Sequence, residues 1–514
     1  MKQWSHGYYV DSAYTFGHYP ETMPVRLYWA SLINDHIAPT RQFRYLDAGC
    51  GQGFNLIMAA AAHPDSEFIG LDFLPEHIAH ATLLASRCGL TNIRFIEADF
   101  VDLARDPGAL GLFDYAVCHG VSTWVAPEVK QGLYRLIGQV LKPGGVFYNS
   151  YNTLPGWLAT QPYQNLVLLH QRHQRNHALQ AAGASLAQLA QLQKDHVPLF
   201  AAQPGLEERL AKLEGLNVDY LRQEYCNEDW QPVFVSQMLD AMAEVKLSYL
   251  TSATLPEALD VGLSPELRTW LANQPTEALK LQLQDYALNQ AFRRDLYVKG
   301  RRRPWPQEAA ERIGSMRFAL NPLKPRPPAD QAYRIAAGNM AIDMHPDRHA
   351  AVIRQLLAAP AGLALADFLA DPNDRADLRS HVESLSMLMH GGWVIPQVPD
   401  AETAPVTAAD CNRAIASAVS QGAGYNCIAL PRAGGAGRIN GESMLLLDSH
   451  YTAGTASVTE RASRILNTLD RLGNTLTDSG QAVTDPATRL RMIETAITAF
   501  TTDTLPFLMA MGAA

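Results

Sequence analysis

The chain has 514 residues, 47% of them hydrophobic and 18% charged, enough apolar mass for several packed cores, which excludes wholesale disorder. Its 42 Lys+Arg against 51 Asp+Glu leave a formal net charge of -9, the wrong sign for a protein that grips nucleic acid along its whole surface. At about 150 residues per domain the length implies three domains, or one catalytic unit with appended modules.

Residues 1–40 are aromatic and polar, then become helical in VRLYWASLINDHI. From 41 to about 150, β-rich runs (FRYLDAG, EFIGLDF, IRFIEADF, FDYAVCHG, VFYNSY) alternate with helical ones (FNLIMAAAA, PEHIAHATLLASRCG). That alternation predicts a parallel sheet with helices on both faces. Residues 160–215 read as helical throughout, an all-α insertion or linker, and 220–300 as a compact mixed stretch. The proline-laden tracts RRRPWPQ and NPLKPRPPADQ read as connections. Helices within 347–390 followed by GGWVIPQ predict a helix pair finished by a β-wing, and further helices are expected near 459–472 and 487–501.

Cysteines 50, 88, 118, 226, 411 and 427 form no CxxC pair and no His-flanked cluster, so neither a disulfide framework nor a zinc site is expected. MKQWSHGYYVDSAYTF lacks an apolar core and a cleavage site, and Asp503 and Pro506 interrupt the apolar run near the other end. A cytoplasmic protein with no membrane partner is the expectation.

The strongest local signal is YLDAGCGQGF at 45–54. Gly49, Gly51 and Gly53 allow a tight turn and a close backbone approach to a ligand, as in a dinucleotide fold, where the helix N-terminus holds a pyrophosphate. Asp47, two residues before the first glycine, would repel a pyrophosphate but suits a cationic amino group. Asp72 ends the next strand, where a carboxylate accepts from ribose hydroxyls. Asp99, beside Phe100, ends the third, where it can accept from an adenine amine. Together D-A-G-x-G-x-G, LD and AD resemble the S-adenosylmethionine site of class I methyltransferases. An NAD-type dehydrogenase and a noncatalytic Rossmann domain are the alternatives. The resemblance implies a cofactor set of Asp47, Gly49, Cys50, Gly51, Gly53, Asp72, Phe73, Asp99, Phe100, His119 and Gly120, with no metal.

Further along, HGVSTWV, SYNTLPGW and YLRQEYCNEDWQPVF at 220–234, with NQAFRRDLYVKG at 289–300, are similar to bacterial methyltransferases that carry a methyltransferase regulatory domain. That group includes the rickettsial-type protein-lysine methyltransferases. Tyr14 and YPETMP at 19–24 resemble the family's entry segment, with Met23 where a histidine is usual. No N-P-P-[FY] motif is present, so exocyclic-amine and amide methylation are not expected.

The fold class implied is α/β: a Rossmann-like class I methyltransferase core with a seven-stranded, mostly parallel sheet. A helical insertion and regulatory domain, a winged-helix-like module and a small C-terminal α+β domain would follow. The expected boundaries are 1–157, 158–302, 303–397 and 398–514. The expected activity is methyl transfer from S-adenosylmethionine to a protein side chain, the lysine ε-amine first. A small-molecule methyltransferase and a cofactor-holding regulatory protein are the alternatives. Tyr14, Tyr19, His119, Trp124, Tyr151, Asn152 and Trp157 are the candidate acceptor-side residues. The basic run Arg293, Arg294, Lys299, Arg301, Arg302 and Arg303 reads as solvated linker charge, and QRHQRNH at 171–177 as a solvated helix face.

Overall fold

The β-rich runs of the first 150 residues become the strands that their unbroken apolar character implies. They are β1 (Arg44–Ala48), β2 (Glu67–Asp72), β3 (Ile93–Glu97), β4 (Phe113–Cys118) and β5 (Leu141–Asn152). The computed structural model describes residues 17–174, 178–213, 225, 227–328, 330–337, 340–370, 375–397 and 408–514. Tyr14 lies outside them. Two later strands, β6 (Ser248–Ser252) and β7 (Phe292–Val298), complete a seven-stranded sheet of order β3-β2-β1-β4-β5-β7-β6. β1 to β5 pair in parallel, and β7 runs antiparallel to both β5 and β6. The strand order reverses between β1 and β4, the switch point at which open α/β sheets bind their ligands.

Helices α1 (Pro24–Leu32), α2 (Phe54–Ala62), α3 (Pro75–Arg87), α4 (Phe100–Arg105) and α5 (Pro127–Val140) cover the two faces. Three of them open on proline, whose fixed φ and missing N–H suit the first helical position. Between β5 and β6 the chain leaves the sheet for α6 (Gln161–Gln174), α7 (Ala178–Lys194), α8 (Pro198–Ala202), α9 (Pro204–Leu213) and α10 (Val235–Glu244). The boundary expected after residue 157 therefore cuts through the central sheet, because two of its strands come from beyond the insertion. Short strands separated by helices do not announce which sheet they join.

All nine residues of α2 are buried. A helix that is apolar all round needs cover on every side, and the last hundred residues supply it. Phe54, Ile57, Met58 and Ala61 share one core with Ile415, Ile428, Leu430 and Met444. Those residues come from a helix over 409–420, a hairpin of strands 427–430 and 435–438, and a helix over 441–452; helices 458–471 and 486–499 follow.

Residues 306–397 form a helix (306–315), a three-stranded sheet in the order 363–364, 317–320, 394–397, and helices 346–358 and 375–390. This unit clasps α1: Trp29 meets Phe318 edge-on at 5.3 Å and its Nε1 donates to Ser386 Oγ at 2.9 Å. No helix among the described residues is long and apolar enough to cross a membrane.

Half of the basic run departs from the expected solvated linker. Arg293 is only 3% exposed and is ion-paired with Asp285 at 2.5 Å and Asp295 at 2.9 Å. Arg294 lies 3.8 Å from Glu21, and Lys299 donates to the carbonyls of Gly138 and Leu141. The cause is β7, a core strand whose pleat sends successive side chains to opposite buried faces. Arg301, Arg302 and Arg303 are exposed.

Candidate active site

The turn after β1 is built by glycine. Gly49 and Gly53 have φ of 86° and 77°, the left-handed region that side chains disfavour. A Cβ on Gly49 would stand 2.5 Å from Val121 Cγ2, and one on Gly53 2.5 Å from Ala81 Cβ. The Gly49 and Cys50 N–H groups both donate to the Leu71 carbonyl, at 2.8 and 2.9 Å, and the Gly51 N–H donates to Asp72 Oδ2 at 2.9 Å. Asp72 Oδ1 accepts from the Leu74 N–H at 3.0 Å and lies 3.2 Å from His77 Nδ1. The turn is thereby tied to the end of β2.

A cavity of about 640 Å³ opens over this edge of the sheet, within the size range of small-molecule sites. Every residue of the expected cofactor set lines it, from Asp47 through Gly120. Strand order arranges them by charge. Asp47 and Asp72 stand at the ends of β1 and β2 and Asp99 just beyond β3, while His119 follows β4 and Asn152 and Phe292 stand on β5 and β7. Neighbouring strands lie about 4.8 Å apart, so the acids occupy one half of the cleft and aromatic and amide groups the other.

Asp47 is the exceptional acid. It is 6% exposed and faces no hydrogen-bond donor among the described residues. Burial first, then the nearby Asp72, push its pKa up to about 7. Asp99 caps α4, its Oδ1 accepting the Val101 N–H at 2.6 Å. This half offers acceptors to a ligand rich in donors and carrying a cation. The ammonium, ribose hydroxyls and adenine amine of S-adenosylmethionine fit that description.

On the other half, the His119 ring stacks on Tyr19 at 3.8 Å. Its Nδ1 lies 2.9 Å from the Tyr148 hydroxyl and 3.2 Å from Ser150 Oγ. Burial, reinforced by Arg294, lowers its pKa to about 3, so the ring is neutral across the physiological range. Trp124, Trp230 and Trp157 form a chain of rings at 5.8 and 5.0 Å. Among the described residues Asn152 Nδ2 and Trp157 Nε1 are buried without an acceptor, and such a donor costs about 1–3 kcal/mol until a ligand or water meets it.

Of the expected acceptor-side residues, Tyr19, His119, Trp124, Asn152 and Trp157 line the cavity. Tyr151 does not. It is fully buried under the opposite face of the sheet, with its hydroxyl donating to Asp295 Oδ2 at 2.6 Å. Alternation along β5 sends Tyr148, Ser150 and Asn152 one way and Tyr151 the other, so the strand's pleat already argued for Tyr148 and Ser150 instead. Arg294 and Phe292 also line the cavity, and the same alternation in FRRDLYV could have found them. Arg209, on α9, reaches it from the insertion, with no local sequence signal. Among the described residues no three His, Cys, Asp or Glu side chains are grouped to hold a metal ion.

Comparison with known proteins gives these features a class. Residues 39–203 match the model of a methyltransferase domain, and residues 217–299 that of a predicted methyltransferase regulatory domain. A Synechocystis protein described as uncharacterised is 33% identical over 320 residues, covering 62% of this chain and 63% of its own length. An uncharacterised protein of Rickettsia prowazekii is 33% identical over 158 residues, 30% of this chain and 61% of that one. The chain thus spans a little under two thirds of these curated relatives. The solved structure of PKMT2 from Rickettsia typhi in complex with AdoHcy superposes with a TM-score of 0.68 at 19% identity, covering 95% of this chain and 97% of that one. The fold is that of the class I methyltransferases. The chain joins a match to a methyltransferase domain with a match to a methyltransferase regulatory domain, and its fold is similar to that of the rickettsial PKMT2.

Proposed function

We propose that the chain transfers a methyl group from S-adenosylmethionine to a protein side chain, the lysine ε-amine. The observation that carries the reading is the row of carboxylates at three successive strand ends, with Asp47 buried and, among the described residues, without a hydrogen-bond donor. Asp47 would hold the amino group of the cofactor, Asp72 its ribose hydroxyls and Asp99 its adenine amine, with Phe73 and Phe100 beside the base. The cofactor supplies a methyl on a sulfonium, open to in-line attack.

A free lysine, with a pKa near ~10.4, must first lose its proton. The chain favours the neutral amine by burial against Tyr19, Trp124 and Trp157 and by the nearby charge of Arg294. With its pKa near 3, His119 does not retain that proton at neutral pH. Its stacking on Tyr19 and its bonds to Tyr148 and Ser150 fix the wall of the acceptor site instead. Aromatic faces also accommodate the methylated cation that forms.

A polypeptide is the proposed partner, and the cytoplasm the proposed location. The described cysteines, all free, suit a reducing compartment. The test is to incubate the protein with a cell lysate and isotopically labelled S-adenosylmethionine, then to locate the label by mass spectrometry. Label on lysine side chains supports the reading, label confined to metabolites replaces the acceptor, and absence of label refutes transfer.

A further inference from the structure

The acceptor half of the cavity is unusual in what it lacks. Among the described residues its lining has no carboxylate, since Asp47, Asp72 and Asp99 stand beyond the switch point on the cofactor half. It does have cations. Arg294 is balanced by Glu21 at 3.8 Å. Arg209 pairs with no acid among the described residues. Its guanidinium lies over the Trp157 ring at 4.7 Å, it donates to the Tyr225 hydroxyl at 3.1 Å, and its buried Nε has no acceptor among the described residues. The neighbouring acids are engaged elsewhere, Glu208 by Lys212 and Glu207 by Gln193. Asn152 Nδ2 and Trp157 Nε1, also without an acceptor among the described residues, belong to residues that line the same cavity. A cation with no acid beside it and two neutral donors with no acceptor, among the described residues, describe a place for an anion with several acceptor lone pairs, and a guanidinium fork matches a carboxylate.

We propose that the acceptor end contains a carboxylate-binding subsite, in which Arg209 takes the charge and Asn152 and Trp157 donate beside it. Its meaning as a substrate subsite rests on the methyl-transfer reading. If that reading holds, the polypeptide substrate carries an acidic residue next to the accepting lysine. The same chemistry would also hold a free dicarboxylic acid.

The test titrates the full chain, saturated with S-adenosylhomocysteine, with glutarate while following tryptophan fluorescence, since Trp157 lies beneath Arg209. A saturable response is expected, at least tenfold weaker in Arg209→Gln and absent with the isosteric diamide glutaramide. Arg209→Lys should fall between wild type and Arg209→Gln, keeping the charge without the fork. No saturable response, equal binding by Arg209→Gln, or equal responses to glutarate and glutaramide would each overturn the proposal. Acetyl-Glu-Lys-amide binding tenfold tighter than glutarate identifies a polypeptide source; glutarate binding as tightly identifies a small acid. Calorimetry with S-adenosylhomocysteine tests the methyl-transfer reading separately. If that nucleotide does not bind, the glutarate titration repeated without it still decides the subsite.

Discussion

Asp47 offers the sharpest test of the site. In the protein alone its pKa is raised to about 7, so the carboxylate is about half charged at pH 7 and about 9% charged at pH 6. A ligand ammonium needs the charged form, whereas the ligand's own amino group, with a pKa near ~7.8, stays protonated over that range. Affinity for S-adenosylhomocysteine should therefore fall about fivefold from pH 7 to pH 6, or ~1 kcal/mol. Binding at pH 6.5 should release about 0.8 proton. Titration calorimetry in two buffers of different ionisation enthalpy counts that proton. His119, with its pKa near 3, adds nothing in this window. Asp47→Asn should bind more weakly at pH 7 and lose both the proton release and the pH slope. An unchanged slope in Asp47→Asn would refute the assignment. Linkage also fixes a sign for stability. A carboxyl raised on folding stabilises the ligand-free protein below its unfolded pKa and loses that contribution as pH climbs through 7. Asp47→Asn should therefore melt higher than wild type at pH 8, by ~4 kcal/mol at most, with the gap closing near pH 4.

The other predictions follow from the same geometry. Asp72→Ala strips the acceptor from the Gly51 N–H as well as from the ligand, and should weaken S-adenosylhomocysteine binding by about a hundredfold, measured by calorimetry. Gly53→Ala forces a Cβ against Ala81 and Phe95 at a left-handed φ; thermal melting should show a loss of ~1–3 kcal/mol, with cofactor binding impaired. Tyr151→Phe deprives buried Asp295 of a donor and should cost ~1–3 kcal/mol in denaturant unfolding while leaving S-adenosylhomocysteine affinity unaltered. A selective loss of affinity would return Tyr151 to the site. Tyr425→Phe removes a hydroxyl 3.0 Å from His80 Nε2, whose other nitrogen lies 3.0 Å from the Gln52 carbonyl in the glycine turn. Nucleotide affinity should drop about fivefold, although Tyr425 lies far along the chain from the cavity motifs.

How much of this was legible in the sequence depends on the range of the interaction. The glycine turn and the three acids are local features, each placed by a strand end next to it, and the sequence alone locates them. The acceptor side needs one further step, the pleat of β5. Read as a cluster, SYNTLPGW suggests Tyr151; read with period two, the strand VFYNSYN selects Tyr148, Ser150 and Asn152 and turns Tyr151 toward Asp295. The basic run fails for the same reason, since FRRDLYV is a core strand and its arginines point to two buried faces. Arg209 is different in kind. It sits on a helix of an insertion, and only the packing of Trp157 and Tyr225 beneath it brings it to the cavity.

FNLIMAAAA carries a message about architecture that periodicity hides. A helix directly after a cofactor turn normally keeps a polar outer face, and this one has none apart from Asn55. Asn55 is itself spent on holding the entry segment: its Oδ1 accepts the Tyr19 N–H at 3.0 Å and lies 3.1 Å from His18 Nδ1. The C-terminal hairpin packs over the same helix and reaches that segment too, with the Gly435 Cα facing Met23 and Arg438 near the His18 carbonyl. Tyr19, which stacks on His119 at the junction of the two halves, is thus held from one side by α2 and from the other by residues some 400 positions later. Removing the C-terminal module would expose the apolar face of α2 that carries Phe54, Ile57, Met58 and Ala61 and release the wall of the acceptor site, so the two cannot be separated as catalytic core and appendage.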